Sequence, residues 1–407
     1  MNAFVFIETN KSGSSRDAIK AAERLGYYTI LFTSRKKLLH QRIEFYDVHE
    51  MIYINTLDEE EMIARLYRLE SQGKIVRGIL SFVDPFVHIA TKLSTRFEIE
   101  GFTASAIEIM EDKVLTRMAL KDCDESLHFE IYSNEGLLET FLDNSKLELP
   151  VIVKSPISTG SKDVILAETR TELKAAILSL VNNGNNRELL LEEYIDGPQW
   201  LVETVILNGE VEIVAVIEQE VTKGERFIIT GYYVIPKLEM EFLSDLKEAL
   251  TSIITTLGMK KGTCHFELRQ KHGHWKLIEV NPRISGGAMN SMIYHSFGIN
   301  LVEETIKIYL GLPFSLERKS EKYVYTHYIT SSSKGRLIKV VGKSRALSFE
   351  GIKEVYIKPR KGMFIAPPVS MGQRYGYVMA SADSKAEAGI LTLSAAREIK
   401  FYIEEQE

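Results

Sequence analysis

Two carboxylates confront each other across a candidate hairpin. The segments Cys264-His265-Phe266-Glu267-Leu268-Arg269 and Trp275-Lys276-Leu277-Ile278-Glu279-Val280-Asn281-Pro282-Arg283 read as strands flanking a turn that contains Gly273. With the turn centred on Gly273, Glu267 lies opposite Glu279, and the two-residue period of a strand puts Glu267, Glu279, Asn281 and Arg283 on one face. Like charges directly opposed on a sheet destabilise it, so the arrangement calls for a cation between them. Two carboxylates and an amide oxygen are hard donors of the kind Mg²⁺ takes, with water and phosphate completing its shell. Arg283 has the planar fork to hold a phosphoryl group or an acyl phosphate beside that ion. The same residues also describe a solvated hairpin, and a register slip of one residue sends the pair to opposite faces.

Phosphate chemistry has further candidates upstream. Val151-Ile152-Val153-Lys154 is an apolar strand ending in lysine, followed by a small, hydroxyl-rich loop that includes Ser158, Thr159, Gly160, Ser161 and Lys162. Backbone N–H groups and a lysine in such a loop can cradle a phosphate; an ordinary hairpin loop has the same composition. Leu189-Leu190-Leu191-Glu192-Glu193-Tyr194-Ile195-Asp196-Gly197-Pro198 is a buried strand running into a turn. Its end can offer backbone groups to an adenine ring and a carboxylate to a ribose, or be a plain strand and turn. Asp112-Lys113 opens a helical stretch with Val114, Leu115 and Met118. His265 shares the face of Glu267 and is open between contacting a substrate, deprotonating an amine, and packing. Glu218 and Tyr232 lie on strands that could face a substrate.

The elements that must position these groups follow from hydrophobic spacing. Residues 3–110 alternate strand and helix: Ala3–Ile7, Tyr27–Phe32 and Gly78–Phe82 as strands, with helices after 15, over 59–70 and over 85–97. That alternation predicts a small parallel α/β lobe. Neither GxGxxG nor GxxxxGK[ST] is present, so neither the dinucleotide fingerprint nor the P-loop applies. Short strands over 151–154, 164–167 and 188–193 with a helix near 171–182 come next, then a hairpin-rich stretch over 200–282 and a helical one over 288–310. The last part has strands, a turn around 360–368 and a closing helix near 384–404. The expected division is 1–110, 111–312 with a lid at about 129–193, and 313–407, an α/β architecture with α+β lobes.

Composition narrows the class. The 407 residues carry a net charge of −6, with 45% hydrophobic and 26% charged residues, which offers no basic footprint for nucleic acid or anionic lipid. No apolar run reaches bilayer length, and the first residues lack the basic region of a signal peptide. Cys123 and Cys264 form neither a disulfide framework nor a CxxC pair. A cytoplasmic setting is the expectation, with a homodimer as the default assembly.

Taken in order, Asp112-Lys113, Val-Ile-Val-Lys154, the Ser/Gly loop, Leu-Leu-Leu-Glu-Glu-Tyr-Ile-Asp-Gly-Pro, His265-Phe-Glu267 and Ile-Glu279-Val-Asn281-Pro-Arg283 resemble an ATP-grasp enzyme with its N-terminal α/β lobe, mobile lid and C-terminal mixed domain. Within that superfamily the chain is similar to the bacterial L-amino acid ligases, through Ser81-Phe82-Val83-Asp84-Pro85-Phe86, Asn281-Pro-Arg-Ile-Ser-Gly-Gly287 and Phe364-Ile365-Ala366-Pro367-Pro368. The resemblance implies ATP and Mg²⁺ (or Mn²⁺) as cofactors and two amino acids as substrates. It implies a dipeptide made through an aminoacyl phosphate, with ADP and phosphate released, in peptide natural-product biosynthesis. By the same resemblance, Lys113 and Lys154 neutralise nucleotide phosphates and the Ser158–Lys162 loop closes over them. Glu192, Glu193 and Ile195 line the adenine, and Glu267, Glu279 and Asn281 hold the metal. Arg283, Gly286 and Gly287 attend the acyl phosphate and the tetrahedral intermediate. Gln199 stands where many such sequences have a ribose-binding Glu, so its contact would be uncharged. A ligase for another carboxylate–amine pair, a kinase on the same fold, and a non-catalytic ATP-binding regulator are the alternatives.

Overall fold

The computed structural model describes residues 1–156, 163–184, 188–223, 227–368 and 370–405. At the N-terminus, β1 (Asn2–Ile7), β2 (Tyr28–Thr33), β3 (Glu50–Tyr53) and β4 (Ile75–Leu80) form an all-parallel sheet in the order β3-β2-β1-β4. β1 is apolar without alternation because both of its faces are covered. Phe4 and Phe6 pack towards Ala18 and Ala22 of α1 (Ser14–Arg24). Ala3, Val5 and Ile7 pack towards Met62 and Leu66 of α3 (Glu59–Ser71) and Ala90 of α4 (Val87–Arg96). A short α2 (Lys36–His40) precedes β3. The sequence pattern placed the last strand of this lobe at 78–82, three residues late, and did not register β3, whose four residues are all half-buried and carry no strong apolar run.

α5 (Ala104–Glu111) and α6 (Lys113–Leu120) lead into a second sheet. It contains β5 (Phe129–Ser133), β6 (Val151–Lys154), β7 (Val164–Ala167) and β8 (Glu188–Glu193), antiparallel in the order β5-β8-β6-β7. α7 (Leu138–Asn144) and α8 (Arg170–Gly184) accompany it. This sheet has its own small core, in which Val151, Val153, Leu189 and Leu191 meet Leu173 and Ile177. Its span, 129–193, is the stretch expected to form the lid.

The remaining chain builds β9 (Gln199–Leu207), β10 (Glu210–Lys223), β11 (Phe227–Val234), α9 (Met240–Leu257), β12 (Lys261–Lys271), β13 (His274–Asn281), α10 (Met289–Phe297), α11 (Leu301–Tyr309) and β14 (Tyr323–Ile329). β15 (Gly335–Val341), α12 (Lys343–Leu347), β16 (Ile352–Ile357), β17 (Phe364–Ile365), β18 (Gly376–Ala382), α13 (Lys385–Ala396) and β19 (Lys400–Glu405) complete it. Eight strands join in the order β13-β12-β9-β10-β11-β14-β18-β16, so strands from beyond residue 313 extend the sheet that carries the carboxylate hairpin. A separate three-stranded sheet runs β17-β15-β19.

Three expectations are corrected here. The stretch 200–282 is not hairpins throughout: α9 interrupts it with 18 helical residues, burying Leu246, Leu250, Ile253, Ile254 and Leu257 and ending at left-handed Gly258. The helical stretch 288–310 is two helices, because Gly298 at φ 74° ends α10 and Asn300 caps α11 through the Glu303 amide. The closing helix stops at Ala396, and the chain finishes as β19, paired with β15.

Candidate functional site

The hairpin turn is His272-Gly273, both with positive φ (52° and 84°), the backbone that a two-residue turn needs to match strand twist. Its register pairs Glu267 with Glu279 and His265 with Asn281, so the two carboxylates do oppose each other on one face. The ladder shifts after Glu267, and Ile278 is the extra residue. The bulge leaves the Ile278 carbonyl free of the ladder, where it accepts from Nη2 of Arg117 at 2.8 Å. Nζ of Lys154 lies 3.5 Å from the same oxygen.

Helix α6 supplies the next groups. The Asp112 side chain accepts from the amides of Val114 and Leu115 at 2.8 and 3.0 Å, an N-cap that fixes where Lys113 starts the helix. Nζ of Lys113 stands 3.6 Å from Oε1 of Glu279. One turn on, Arg117 is buried and its Nε meets Oε1 of Glu192 at 2.5 Å, while Lys154 meets Oε2 of the same carboxylate at 2.6 Å. Burial acts to raise the Glu192 carboxyl, but the two cations outweigh it and hold the group below the ordinary carboxylate range. Glu193 instead turns outward to Lys271 and the amide of His128. Ile195 is buried and its carbonyl accepts from Arg269 at 2.5 Å. The Gln199 side chain donates to Glu267 and accepts from Arg269. The Ser158–Lys162 loop lies outside the described residues.

A buried relay runs along the sheet face away from the hairpin. Nδ1 of His265 is 2.7 Å from Oε1 of Glu203, and its Nε2 is 3.7 Å from Oε1 of Glu267. Burial lowers the affinity of this imidazole for a proton, but Glu203 and Glu267 outweigh it and raise the pKa to about 10. With no cation at Glu267, such an imidazole is protonated at neutral pH and bridges the two carboxylates. The second Glu203 oxygen accepts from the Ser285 amide at 3.1 Å, tying the relay to the loop after the hairpin. In that loop Arg283 makes a two-pronged pair with Asp84 of the N-terminal lobe, with Nε to Oδ1 at 2.8 Å. Gly287 has φ 64°, and a methyl group on Gly13 would sit 2.9 Å from its nitrogen, so two glycine backbones touch where the first lobe meets the loop. Gly286 is open on the side a Cβ would occupy.

Lys113, Arg117, Lys154, Glu279, Asn281 and Asp84 line one cleft. Its cations come from α6 and β6, its Glu279 and Asn281 from the hairpin strand that faces Glu267, and its Asp84 is the partner of Arg283. Among the described residues no three His, Cys, Asp or Glu gather to hold a metal with protein ligands alone. Glu267, Glu279 and Asn281 fit Mg²⁺, which binds through one or two carboxylates and takes the rest of its shell from water and phosphate. Of the groups that complete the cleft, Arg117 was not anticipated, although it stands one helical turn after Lys113. Asp84, Glu203 and Gly13 carry no local signal of their partners.

The comparisons agree with this architecture, and the chain belongs to the ATP-grasp superfamily. The ATP-grasp domain family matches residues 147–291 and the ATP-grasp N-terminal domain matches 19–99. Residues 327–404 match the L-amino acid ligase C-terminal domain 2. Among solved structures, the chain shares its fold with an L-amino acid ligase from Bacillus licheniformis, at TM-score 0.83 and 21% identity, over 100% of this chain and 99% of that one. It also shares it with the biotin carboxylase domain dimer of the Hydrogenobacter thermophilus 2-oxoglutarate carboxylase, solved with MgADP and bicarbonate, at TM-score 0.73 and 16% identity, over 98% and 90%. In sequence it is 23% identical to the uncharacterized protein y4rH of Sinorhizobium fredii, over 98% of this chain and 83% of that one. It is 22% identical to carnosine synthase 1 of Gallus gallus, over 63% of this chain but 30% of the longer protein. No helix among the described residues is long and apolar enough to cross a membrane.

Proposed function

We propose that the chain is an ATP- and Mg²⁺-dependent ligase that joins the carboxylate of one L-amino acid to the amine of a second. The carrying observation is the opposed pair Glu267–Glu279, flanked by Asn281, with Lys113 and Lys154 on one side and Arg283 on the other. Two facing carboxylates are an unfavourable arrangement for a sheet unless a cation completes it. Glu267, Glu279 and Asn281 would hold the metal, which would supply positive charge to offset that of the transferring phosphoryl group. Lys113 and Lys154 would screen the nucleotide phosphates, and Mn²⁺ would substitute for Mg²⁺ in this oxygen-donor set.

The reaction balances as two displacements. A carboxylate oxygen of the first amino acid attacks the γ-phosphorus, forming the acyl phosphate and releasing ADP. The neutral amine of the second then attacks the acyl carbon, the amide bond forms, inorganic phosphate leaves, and the amine loses a proton. Arg283, released from Asp84, would hold the phosphoryl oxygens in both steps. The 129–193 sheet would act as a lid that keeps water from the acyl phosphate. The match of residues 327–404 to an L-amino acid ligase domain supports amino acids as the substrate class. A role in peptide natural-product assembly, a cytoplasmic setting and a homodimer complete the proposal.

Phosphate release from ATP and Mg²⁺, screened over single and paired L-amino acids with mass spectrometry of the products, tests it. Release that depends on amino acids and yields a dipeptide mass supports the ligase. ATP binding without release by any pair refutes it.

A further inference from the structure

Among the described residues no carboxylate pairs with Arg374, which follows the 371–373 turn and stacks on the β14 face that carries Tyr328. Tyr232 of β11 and Thr326 of β14 pair directly across the ladder, and Tyr328 lies two residues further along β14 on that face. The rings of Tyr232 and Tyr328 meet edge to face, with centroids 5.7 Å apart. The Arg374 guanidinium lies over the Tyr328 ring at 3.9 Å, and its charge acts on the Tyr232 phenol. Its Nη1 is buried without a hydrogen-bond partner, and no carboxylate among the described residues pairs with it. Thr326 is fully buried and its Oγ1 is likewise without a partner.

The cluster borders the chemistry already described. A methyl group on Gly287 would approach the Tyr328 hydroxyl at 3.8 Å, and the Tyr232 phenol feels the charge of Glu267. Arg374 is held in place from both sides. Ahead of it, Ser370 and Gln373 close a capping box over the turn 371–373, and behind it the Tyr375 amide donates to the Ile329 carbonyl at 2.8 Å. A buried guanidinium edge without an acceptor is costly, and a carboxylate is the planar anion its fork matches.

We propose that Arg374, with Tyr232 and Thr326, forms the subsite for the free α-carboxylate of the amine substrate, so that the enzyme accepts an amino acid and discriminates against the corresponding amide. This rests on the ligase reading and narrows it. The first amino acid also has a carboxylate, but the one that reacts must reach the phosphates beside Lys113 and Glu279, at the hairpin edge of the sheet. Arg374 sits instead past β11, over the Tyr328 ring, whose hydroxyl borders Gly287.

The test compares wild type, Arg374→Met, Arg374→Lys and Tyr232→Phe by phosphate release and product mass, with the second substrate supplied as free acid and as primary amide. Wild type should favour the acid in kcat/KM by about 10- to 100-fold, the worth of one charge-assisted hydrogen-bonded pair. Arg374→Met should abolish that preference by raising KM for the second amino acid, with KM for ATP and for the first amino acid within about twofold of wild type. Arg374→Lys should restore part of the preference, and Tyr232→Phe should weaken it while leaving the fold intact. Wild type that uses amides as well as acids, or Arg374→Met that keeps the preference, overturns the subsite while leaving the ligase standing. A rise confined to KM for the first amino acid assigns the carboxylate to the other substrate and overturns it too. If wild type makes no product from any pair, the ligase reading falls. Calorimetric titration of the MgADP-bound protein with amino acids and their amides then decides the subsite: acid-selective heat lost in Arg374→Met supports it, and its absence overturns it.

Discussion

Substituting Glu192 by Gln tests whether the cleft is held by charge. Glu192 uses both carboxylate oxygens on buried cations, Arg117 at 2.5 Å and Lys154 at 2.6 Å, and the three side chains are 3%, 2% and 6% exposed. Gln keeps the shape, removes the charge, and turns an amide NH₂ towards one of the two cations. Breaking one partner of a buried ion pair costs about 3–5 kcal/mol, because the charge left behind has neither water nor a counter-ion. Here two cations are left. The opening should be local, since β6 and β8 share a small core of their own. At about 1.36 kcal/mol per factor of ten, amide hydrogen exchange in 151–154 and 188–193 should accelerate by two to nearly four powers of ten. The strands of the N-terminal sheet should keep their protection. An acceleration under about threefold in β6 and β8 would show that the triad contributes no electrostatic cohesion, and the account of the cleft would fail with it.

Glu279→Gln should raise the Mg²⁺ concentration for half-maximal phosphate release by about tenfold or more; an unchanged titration removes the hairpin as the metal site. Arg283→Ala should cut kcat by about 10²–10³ while the circular dichroism spectrum stays that of wild type. Asp84→Asn, which releases the guanidinium from its pair, should lower kcat with KM for ATP unchanged; near-normal turnover in both variants would sink the role given to Arg283. The His265 pKa is raised from 6.5 to about 10, so its stabilisation is fully present below 6.5 and is lost as pH rises through about 10. The difference in melting temperature between wild type and His265→Gln should therefore shrink between those values, and a constant difference would contradict the buried imidazolium.

The hairpin was legible because its determinants are local. Gly273 fixes the turn, and alternation fixes which residues share a face. Its bulge was not, since nothing around Ile278 marks it as the extra residue. Lys113 and Lys154 were legible as positions, at a capped helix start and a strand end, but not as neighbours. The approach of Lys113 to Glu279 depends on how α6 docks against the hairpin, and that of Lys154 to Glu192 on the pairing of β6 with β8. Asp84 stands 199 residues before Arg283, and no period in the sequence links them. α9 is a different kind of miss: Leu243, Leu246, Leu250, Ile253, Ile254 and Leu257 before Gly258 are a plain helical stripe, obscured by the strand-rich segments on both sides.

The continuity of the eight-stranded sheet bears on how such an enzyme can be re-engineered. β11 and β14 share a ladder from Gly231–His327 to Val234–Val324, so the boundary expected near residue 313 falls in a loop while the sheet runs on across it. A chimera that exchanged residues 327–404 for those of a relative would cut through β14 itself and inherit a foreign edge against β11. One that kept 323–329 and replaced only the chain from residue 330 onward would preserve the ladder that fixes Tyr328 relative to Glu267. Crossovers placed by sheet membership should therefore yield folded hybrids with shifted substrate choice, whereas crossovers at the start of the matched C-terminal segment should yield insoluble ones.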